Sequence, residues 1–221
     1  MKRIVLLAAL CAALGFAWGA ATIAFRIFPF FQIKSLVPEE QSPIQMEMQK
    51  LFEMYPRKGD IVVVGDSILN EINWQDAIPE FVVVQRTIGG STSQHIVDRI
   101  SSIKAADAST TVLMIGTNDI GRGVPLDDTL KNISIIRKQL GGRLIVLSIP
   151  PCTNKNIRCP MRTPNIAKFN ERLSTMPGID FVDLRGVVGP DDILDGTHLK
   201  AVGINKLVGE IRRALGSAIA K

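Results

Sequence analysis

Five short, strongly apolar runs alternate with stretches of helical periodicity, and this alternation constrains the fold more than any other feature of the chain. Each run has the length and the β-branched content of a strand that is buried on both faces. The runs are Asp60–Gly65, Phe81–Gln85, Thr111–Ile115, Arg143–Ser148 and Ile179–Leu184, and the helical patterns are Thr92–Lys104, Leu126–Leu140, Pro164–Leu173 and Ala201–Ile219. Strands separated by helices predict a parallel sheet covered on both sides, a three-layer α/β sandwich. We place this single domain at residues 59–221.

An uncharged segment of 22 residues, Ile4–Phe25, precedes the domain and follows Lys2 and Arg3. A helix of that length spans about 33 Å, which is enough for a hydrocarbon core of about 30 Å. Ala17-Trp18-Gly19 offers a small-x-small signal cleavage site, but the apolar run continues past it. We expect residues 1–26 to be an uncleaved transmembrane anchor, and a cleaved signal peptide is the alternative.

Residues 27–58 are predicted to form a tether between this segment and the domain. Prolines interrupt the tether, and Gln45–Met54 predicts a short amphipathic helix within it. The positive charge at the extreme N-terminus, with Glu39 and Glu40 downstream, favours an N-terminus in the cytoplasm and a domain outside it. The expected location is therefore extracytoplasmic and membrane-anchored through a single N-terminal helix, or secreted if the signal is cleaved.

The cysteines point to the same compartment. Cys152 and Cys159 lie in a polar loop bounded by prolines, and two cysteines that close so short a loop suit a disulfide in an oxidising compartment. Two unpaired loop thiols are the alternative. Cys11 lies in the apolar segment, where we expect it to pack without a chemical role. A metal site is not expected, because His95 and His198 are the only histidines and no further cysteine is available.

The basic surplus of the chain does not indicate a nucleic-acid partner. The formal net charge is +5, from 26 basic and 21 acidic residues. Three basic residues and no acidic residue lie within the first 26 positions, which leaves 23 basic against 21 acidic residues and a net charge of +2 for the remainder. A nearly neutral domain lacks the basic footprint that binding to a phosphate backbone requires.

A small polar cluster follows each of the first three strands, and a fourth cluster precedes the last helix. The four clusters are Gly65-Asp66-Ser67, Gly89-Gly90-Ser91-Thr92, Gly116-Thr117-Asn118-Asp119 and Asp195-Gly196-Thr197-His198-Leu199. In open parallel sheets the working residues lie beyond the carboxyl ends of the strands. We therefore expect the four clusters to meet at one site.

The residue types in these clusters are the ones that acyl transfer needs. Ser67, at a strand end and the start of a helix, is a candidate nucleophile and requires a general base beside it. His198 is the expected base because His95 lies within a helical pattern, and Asp195 stands close enough to fix the imidazole tautomer. The candidate donors to the oxyanion are the N–H groups of Ser67 and Gly90 and the side-chain amide of Asn118.

In their order and content the four clusters resemble the SGNH, or GDSL-type, hydrolases, whose four blocks supply Ser, Gly, Asn and His in this order. Gly-Asp-Ser-Ile matches the first block, Ile-Gly-Gly-Ser-Thr the second, Gly-Thr-Asn-Asp the third and Asp-x-x-His the last. The resemblance covers residue 60 to the C-terminus and implies a flavodoxin-like sheet, no metal and no cofactor. The residues that it implies are Ser67 as nucleophile, Asp195 and His198 as the acid–base pair, and Ser67, Gly90 and Asn118 as donors of the oxyanion hole.

The chain departs from the pattern of this family at two places. Ile68 replaces the usual leucine after the serine, which is a conservative change. Gln85-Arg86-Thr87 stands where many relatives have Asn-Arg-Gly, so the neighbourhood of the second strand is expected to differ. Gly90 is preferred as the oxyanion donor because it precedes the Ser-Thr pair, and Gly89 is the close alternative.

Each cluster alone also has an ordinary structural interpretation as a turn or a helix cap. The occurrence of all four in the right order favours catalysis. We expect a serine hydrolase that cleaves an acyl ester of a small molecule, a lipid or a glycan. An acyltransferase acting on an envelope glycan and a catalytically silent domain that binds a glycan or a lipid are the alternatives. His95 is expected to be structural. Arg86 and Arg162 are expected to lie on the solvated surface, and contact with an anionic substrate is the alternative for both.

Overall fold

The five apolar runs form one parallel sheet, as their alternation with helices predicts. The structure, a computed structural model, describes residues 2–25, 29, 41–156 and 158–219. The strands within these ranges are β1 (Ile61–Gly65), β2 (Val83–Thr87), β3 (Thr110–Met114), β4 (Arg143–Leu147) and β5 (Asp180–Val182). Their order across the sheet is β2-β1-β3-β4-β5, and every neighbouring pair is parallel. The predicted α/β fold with a five-stranded parallel sheet is confirmed.

Helices cover the sheet on both faces. Within the described residues the helices of the chain are α1 (Lys2–Phe25), which belongs to a separate N-terminal unit, and then α2 (Pro43–Met54), α3 (Ser67–Asn70), α4 (Trp74–Ala77), α5 (Ser93–Asp98), α6 (Ile100–Lys104), α7 (Thr117–Arg122), α8 (Leu126–Gln139), α9 (Cys159–Ser174) and α10 (Ala201–Ile219). Successive side chains of β1 enter different cores: Ile61 and Val63 pack with residues of α10, and Val62 and Val64 pack with residues of α8. A strand buried on both faces explains why its sequence is apolar at every position rather than at alternate ones.

The observed strands end within two residues of the predicted bounds, and the shift is largest for β2. The apolar pattern placed this strand at Phe81–Gln85, whereas the pairing with β1 runs from Val83 to Thr87. The strand continues through Arg86, which pairs with Val64 and whose guanidinium lies 4.7 Å from the ring centroid of Phe52 in α2. A polar residue can therefore continue a buried strand when a distant element covers it.

Two of the helices predicted from the sequence have different bounds in the structure. The pattern Thr92–Lys104 is divided into α5 and α6 at Arg99, whose side chain is only 1% exposed and turns inward. The helix predicted at Pro164–Leu173 begins earlier, at Cys159, with Pro160 in its first turn and Pro164 inside it. Proline is compatible with the first turn of a helix, where its missing N–H would have no partner.

The helix α2 belongs to the same compact unit as the sheet. The chain divides into two units, Met1–Glu40 and Gln41–Lys221, so the second unit begins before the predicted domain start at residue 59. Ser42 caps α2 by accepting the N–H of Gln45 at 3.3 Å, and Phe52 of the same helix packs on Arg86. Of the predicted tether, residues 27–28 and 30–40 lie outside the described residues.

The first unit contains α1. Its residues Lys2–Ala24 have a mean hydropathy of 2.2 and form a helix that is long and apolar enough to cross a membrane. A signal sequence near an N-terminus has the same properties. The apolar helix is therefore compatible with both predicted alternatives, the anchor and the signal sequence.

Candidate active site

Ser67 is held at the point where β1 turns into a helix. Asp66, which is fully buried, accepts the N–H of Ile68 at 3.0 Å and so caps α3, of which Ser67 is the first residue. The turn requires Gly65, because a Cβ at that position would lie 2.7 Å from the carbonyl oxygen of Met114. Ser67 is therefore fixed at the carboxyl edge of the sheet.

His198 contacts both Ser67 and Asp195. Its Nε2 lies 2.9 Å from Ser67 Oγ, and its Nδ1 lies 2.7 Å from Asp195 Oδ2. The three side chains form a hydrogen-bonded series although Ser67 and His198 are 131 positions apart in the chain. A proton on Nδ1, facing the carboxylate, leaves Nε2 free to accept the proton of the serine hydroxyl.

The loop that carries Asp195 and His198 is fixed by its own backbone. Asp195 Oδ1 accepts the N–H groups of His198 at 2.9 Å and of Thr197 at 3.0 Å, and the N–H of Leu194 donates to the carbonyl of His198 at 2.8 Å. The His198 N–H, followed by its imidazole and the Thr197 N–H, lowers the pKa of Asp195 to about 2. This carboxylate is therefore ionised at neutral pH.

The glycine pair of the second cluster lies beside Ser67. A Cβ built on Gly89 would lie 3.8 Å from the Cβ of Ser67. Gly90 has a left-handed φ of +75°, a conformation that favours glycine. Gly89 therefore lies directly beside the serine, and Gly90 follows it in the same turn.

Asn118, in the first turn of α7, links the first cluster to the second. Its Nδ2 donates to the carbonyl of Ser91 at 3.0 Å and to Asp66 Oδ2 at 3.3 Å. Both hydrogens of the amide thus have acceptors. An oxyanion can be bound by this amide if it replaces the longer contact, the one to Asp66.

Two side chains from outside the four clusters hold the glycine pair. Gln45 Nε2 donates to the carbonyl of Gly89 at 2.9 Å, and Arg122 Nη2 donates to the carbonyl of Gly90 at 2.9 Å. Neither residue was predicted to belong to the site. These contacts join positions 44 and 32 residues apart, and no local sequence pattern indicates them.

Two buried charged residues connect the clusters and were also missed. Arg99 donates to Ser91 Oγ at 2.8 Å and to the carbonyl of Gly65 at 3.3 Å, and burial lowers its pKa to about 10. Asp119 accepts the hydroxyl of Ser93 at 2.6 Å and the N–H of the same residue, and burial raises its pKa. Asp119 is a member of the third polar cluster, but an aspartate at that position is equally compatible with an ordinary helix cap.

A narrow slot lies next to Ser67, whose chain neighbour Ile68 forms part of its lining. Three of its lining residues, Ile68, Thr117 and Thr197, are adjacent in sequence to Ser67, Asn118 and His198. The lining residues are Ile68, Thr117, Ile149, Pro150, Pro151, Cys152, Arg162, Ile166 and Thr197. The slot is therefore bordered by the first, third and fourth clusters and by the loop that contains the two cysteines.

Cys152 and Cys159 are joined in the structure. Their sulfur atoms are 2.18 Å apart and their Cα atoms 5.5 Å apart. Cys152 borders the slot and Cys159 is the first residue of α9, so this link attaches the slot wall to the start of that helix. Among the described residues, no group of three or more His, Cys, Asp or Glu side chains is arranged to hold a metal ion.

The arginines predicted on the surface are more buried than expected. The prediction for Arg86 was wrong: it is 5% exposed because Phe52 covers it. Arg162 is half-buried at the slot, and burial lowers its pKa. His95 lies buried in α5, where its Nδ1 accepts the N–H of Thr92 at 3.3 Å, which is a structural contact.

Comparison with known proteins adds a family and a set of similar folds. The family model described as GDSL-like Lipase/Acylhydrolase matches residues 63–204. A candidate acylhydrolase from Bacteroides fragilis is 22% identical and has a TM-score of 0.67, over 81% of this chain and 99% of that one. A protein described as a candidate platelet activating factor from Streptococcus pneumonia is 22% identical, with a TM-score of 0.66 over 83% and 96% of the two chains.

A third similar structure is the C-terminal catalytic domain of peptidoglycan O-acetyltransferase A from Streptococcus pneumoniae, solved with a methylsulfonyl adduct. It is 18% identical, with a TM-score of 0.56 over 76% of this chain and 97% of that domain. A comparison with curated protein sequences gives no match. At these identities the structural similarities establish the fold alone.

Proposed function

We propose that this chain, which belongs to the GDSL-like Lipase/Acylhydrolase family, is a serine hydrolase that cleaves an acyl ester. Ser67 is the nucleophile, His198 the general base, and Asp195 the carboxylate that orients the imidazole. The observation that supports these roles is the series of contacts from Ser67 Oγ to His198 at 2.9 Å and from His198 to Asp195 at 2.7 Å. A serine that only caps a helix has no need of an imidazole aligned on its hydroxyl.

In the acylation step, Ser67 Oγ attacks the acyl carbon while its proton passes to Nε2 of His198. The carbonyl oxygen becomes an oxyanion, and the ionised Asp195 stabilises the imidazolium. The tetrahedral intermediate then collapses, and the bond between the acyl carbon and the alcohol oxygen breaks. His198 gives its proton to the departing oxygen, so the alcohol leaves neutral and the acyl group stays on Ser67.

Deacylation repeats these steps with water as the nucleophile. His198 takes a proton from the water, whose oxygen attacks the acyl carbon of the acyl-enzyme. Collapse of the second intermediate breaks the bond to Ser67 Oγ, which recovers its proton from the imidazolium. The products are the free acid and the regenerated enzyme.

The oxyanion of both intermediates requires donors that are already in place. We assign this role to the N–H groups of Ser67 and Gly90 and to the side-chain amide of Asn118. The capped start of α3 supports the first donor, and the carbonyl contacts that fix the glycine pair support the second. Asn118 supplies the third by exchanging its 3.3 Å contact to Asp66 for the oxyanion.

For the substrate, we expect an ester with a short acyl group. The slot beside Ser67 is narrow, and its walls include the apolar side chains of Ile68, Ile149 and Pro150. Such a slot favours an acetyl group over a long acyl chain, which would require the slot to open. We expect the domain to act outside the cytoplasm near a membrane, on a lipid, a glycan or a small-molecule ester, if α1 is an anchor.

Active-site labelling tests the catalytic assignment. A fluorophosphonate probe should label the wild-type chain covalently, and Ser67→Ala should abolish the label. Ser101→Ala, which changes an exposed serine of α6, is the matched control and should label like the wild type. A folded wild-type chain that remains unlabelled would contradict the hydrolase and support the silent binding domain.

A substrate panel separates the remaining possibilities. The p-nitrophenyl esters from acetate to octanoate should be hydrolysed with a kcat/KM that falls as the acyl chain lengthens, and a rate that rises with chain length would contradict the short-acyl expectation. The similar Streptococcus pneumoniae domain belongs to a peptidoglycan O-acetyltransferase, which motivates a second arm in which an acetyl donor is supplied with a glycan acceptor. Free acetate as the product supports the hydrolase, and acetylated glycan supports an acyltransferase.

A further inference from the structure

The helix α2 precedes the residues that the family model matches, and yet it reaches the glycine pair beside Ser67. Gln45, in the first turn of α2, donates from Nε2 to the carbonyl of Gly89 at 2.9 Å. The side chain is 7% exposed, so water competes little for this bond. Gln45 is thus a buried polar contact between a segment outside the four clusters and the loop beside the nucleophile.

The orientation of the Gln45 amide is fixed by its two partners. Its Oε1 accepts the N–H of Ser42 at 2.9 Å, and a backbone N–H can only donate. Its Nε2 therefore faces the carbonyl of Gly89, which can only accept. The amide oxygen faces a donor and the amide nitrogen faces an acceptor, so an amide flipped by 180° would lose both hydrogen bonds.

The bond to Gly89 determines the direction of the neighbouring N–H. The carbonyl of Gly89 and the N–H of Gly90 belong to one peptide unit, and in a trans peptide these two groups point in opposite directions. A carbonyl held towards α2 therefore directs the Gly90 N–H away from α2. A peptide between two glycines rotates easily, because neither residue has a Cβ to restrict it, and Gly90 already has a φ of +75°.

We propose that Gln45 is a positioning residue, which holds the peptide between Gly89 and Gly90 so that the Gly90 N–H is directed to the oxyanion. The proposal rests on the proposed function, in which Gly90 is an oxyanion donor. Arg122 assists by holding the carbonyl of Gly90 at 2.9 Å, so both peptides that flank this residue are fixed. Gln45 does not touch the substrate and acts through the backbone of the loop.

Gln45 also has an ordinary structural role, and the experiment must separate the two. Its amide completes a capping box at the start of α2, in which Ser42 Oγ accepts the Gln45 N–H at 3.3 Å. Gln45→Glu keeps an oxygen that can accept the Ser42 N–H but removes the donor to Gly89. Ser42→Ala is the matched control, because it weakens the same cap and leaves the amide of Gln45 in place.

The test measures kcat and KM for an acetyl ester with the full chain in detergent. We expect Gln45→Glu to lower kcat by roughly 10-fold to 100-fold, less than the roughly 100-fold to 1000-fold loss on removal of an oxyanion donor, with a change in KM below about twofold. The rate of covalent labelling by a fluorophosphonate should fall in proportion to kcat, because the phosphonyl oxygen occupies the same hole. Ser42→Ala should keep kcat within about twofold of the wild type.

Gln45→Met provides a second variant that adds no charge near Arg122. It should lower kcat in the same range, and urea unfolding shows whether either variant has lost stability. A kcat within about twofold of the wild type in a folded Gln45 variant, or an equal loss in Ser42→Ala, would overturn the positioning role and leave the proposed function standing. A wild-type chain without activity or labelling would instead contradict the proposed function itself.

Discussion

Asp66 is a buried carboxyl group at the centre of the candidate site. Desolvation raises the pKa of this group to about 6, with a smaller contribution from the nearby Asp119, although the hydrogen bond from the N–H of Ile68 acts in the opposite direction. The group nevertheless has two structural uses, because it caps α3 and accepts the side-chain amide of Asn118. The unfavourable burial of Asp66 is thus linked to the positions of Ser67, the proposed nucleophile, and of Asn118, a proposed oxyanion donor.

We expect Asp66→Asn to reduce the pH dependence of stability between about pH 4 and pH 6. In this window the folded wild-type chain binds the Asp66 proton more tightly than the unfolded chain does, since the pKa rises from 3.8 to about 6 on folding. The free energy of unfolding therefore falls as pH rises through the window, by roughly 3 kcal/mol for a shift of about two units. Urea unfolding of the full chain in detergent at pH 4 to 7 measures this slope.

A surface carboxylate provides the control for Asp66. The side chain of Asp127 is 82% exposed and paired with Arg172. Asp127→Asn should leave the slope of the unfolding free energy against pH unchanged. Asp66→Asn should also lower kcat, because its new amide would face the donating amide of Asn118. A slope equal to the wild-type slope in Asp66→Asn would show that this carboxyl does not carry the proton.

At the scale of elements, the connection from β3 to α7 depends on Gly116. This residue has a φ of +120°, and a Cβ there would lie 2.9 Å from Phe169 Cζ and 3.0 Å from Ile149 Cδ1. Both neighbours are buried and cannot move aside freely. Gly116 therefore sets the direction in which α7 leaves the sheet, and with it the position of Asn118 two residues later.

We expect Gly116→Ala to destabilise the fold by roughly 2–5 kcal/mol, from backbone strain together with crowding in the core. Gly123→Ala is the matched control, because Gly123 also has a positive φ, +78°, but no atom lies within 4 Å of its added Cβ. It should lose only about 1 kcal/mol. Equal losses in the two variants, measured by urea unfolding, would show that the contacts of Gly116 do not matter.

The helices and strands also show how much of the fold and of the candidate site could be predicted from the sequence alone. Apolar runs predicted all five strands, because a strand buried on both faces shows its burial at every position. The polar clusters at the strand ends predicted where Ser67 and His198 would meet, because parallel strands bring their carboxyl ends to one edge. Local periodicity carries no signal for a polar side chain whose partner is remote, so the contacts of Gln45, Arg99 and Arg122 could not be predicted.

At the scale of the whole molecule, an apolar N-terminal helix accompanies an α/β domain of nearly balanced charge. The helix is compatible with a membrane anchor or a signal sequence. If the N-terminus of the helix faces the cytoplasm, as its flanking charges predict, either one places the domain outside the reducing cytoplasm. In that environment the two loop cysteines can remain oxidised. The oxidation state of these cysteines therefore indicates whether the domain folds in an oxidising compartment.

We expect Cys152 and Cys159 to be a disulfide in protein isolated from its native membrane. Alkylation without reduction, followed by mass spectrometry, should modify Cys11, the free cysteine of α1, and should leave the other two linked in one peptide pair. Cys11 thus controls for access of the reagent within the same chain. A bridge across so short a loop should stabilise the domain by roughly 2–3 kcal/mol, so reduction should lower the midpoint of urea unfolding. Alkylation of all three cysteines in unreduced protein would contradict both the bridge and the oxidising compartment that it indicates.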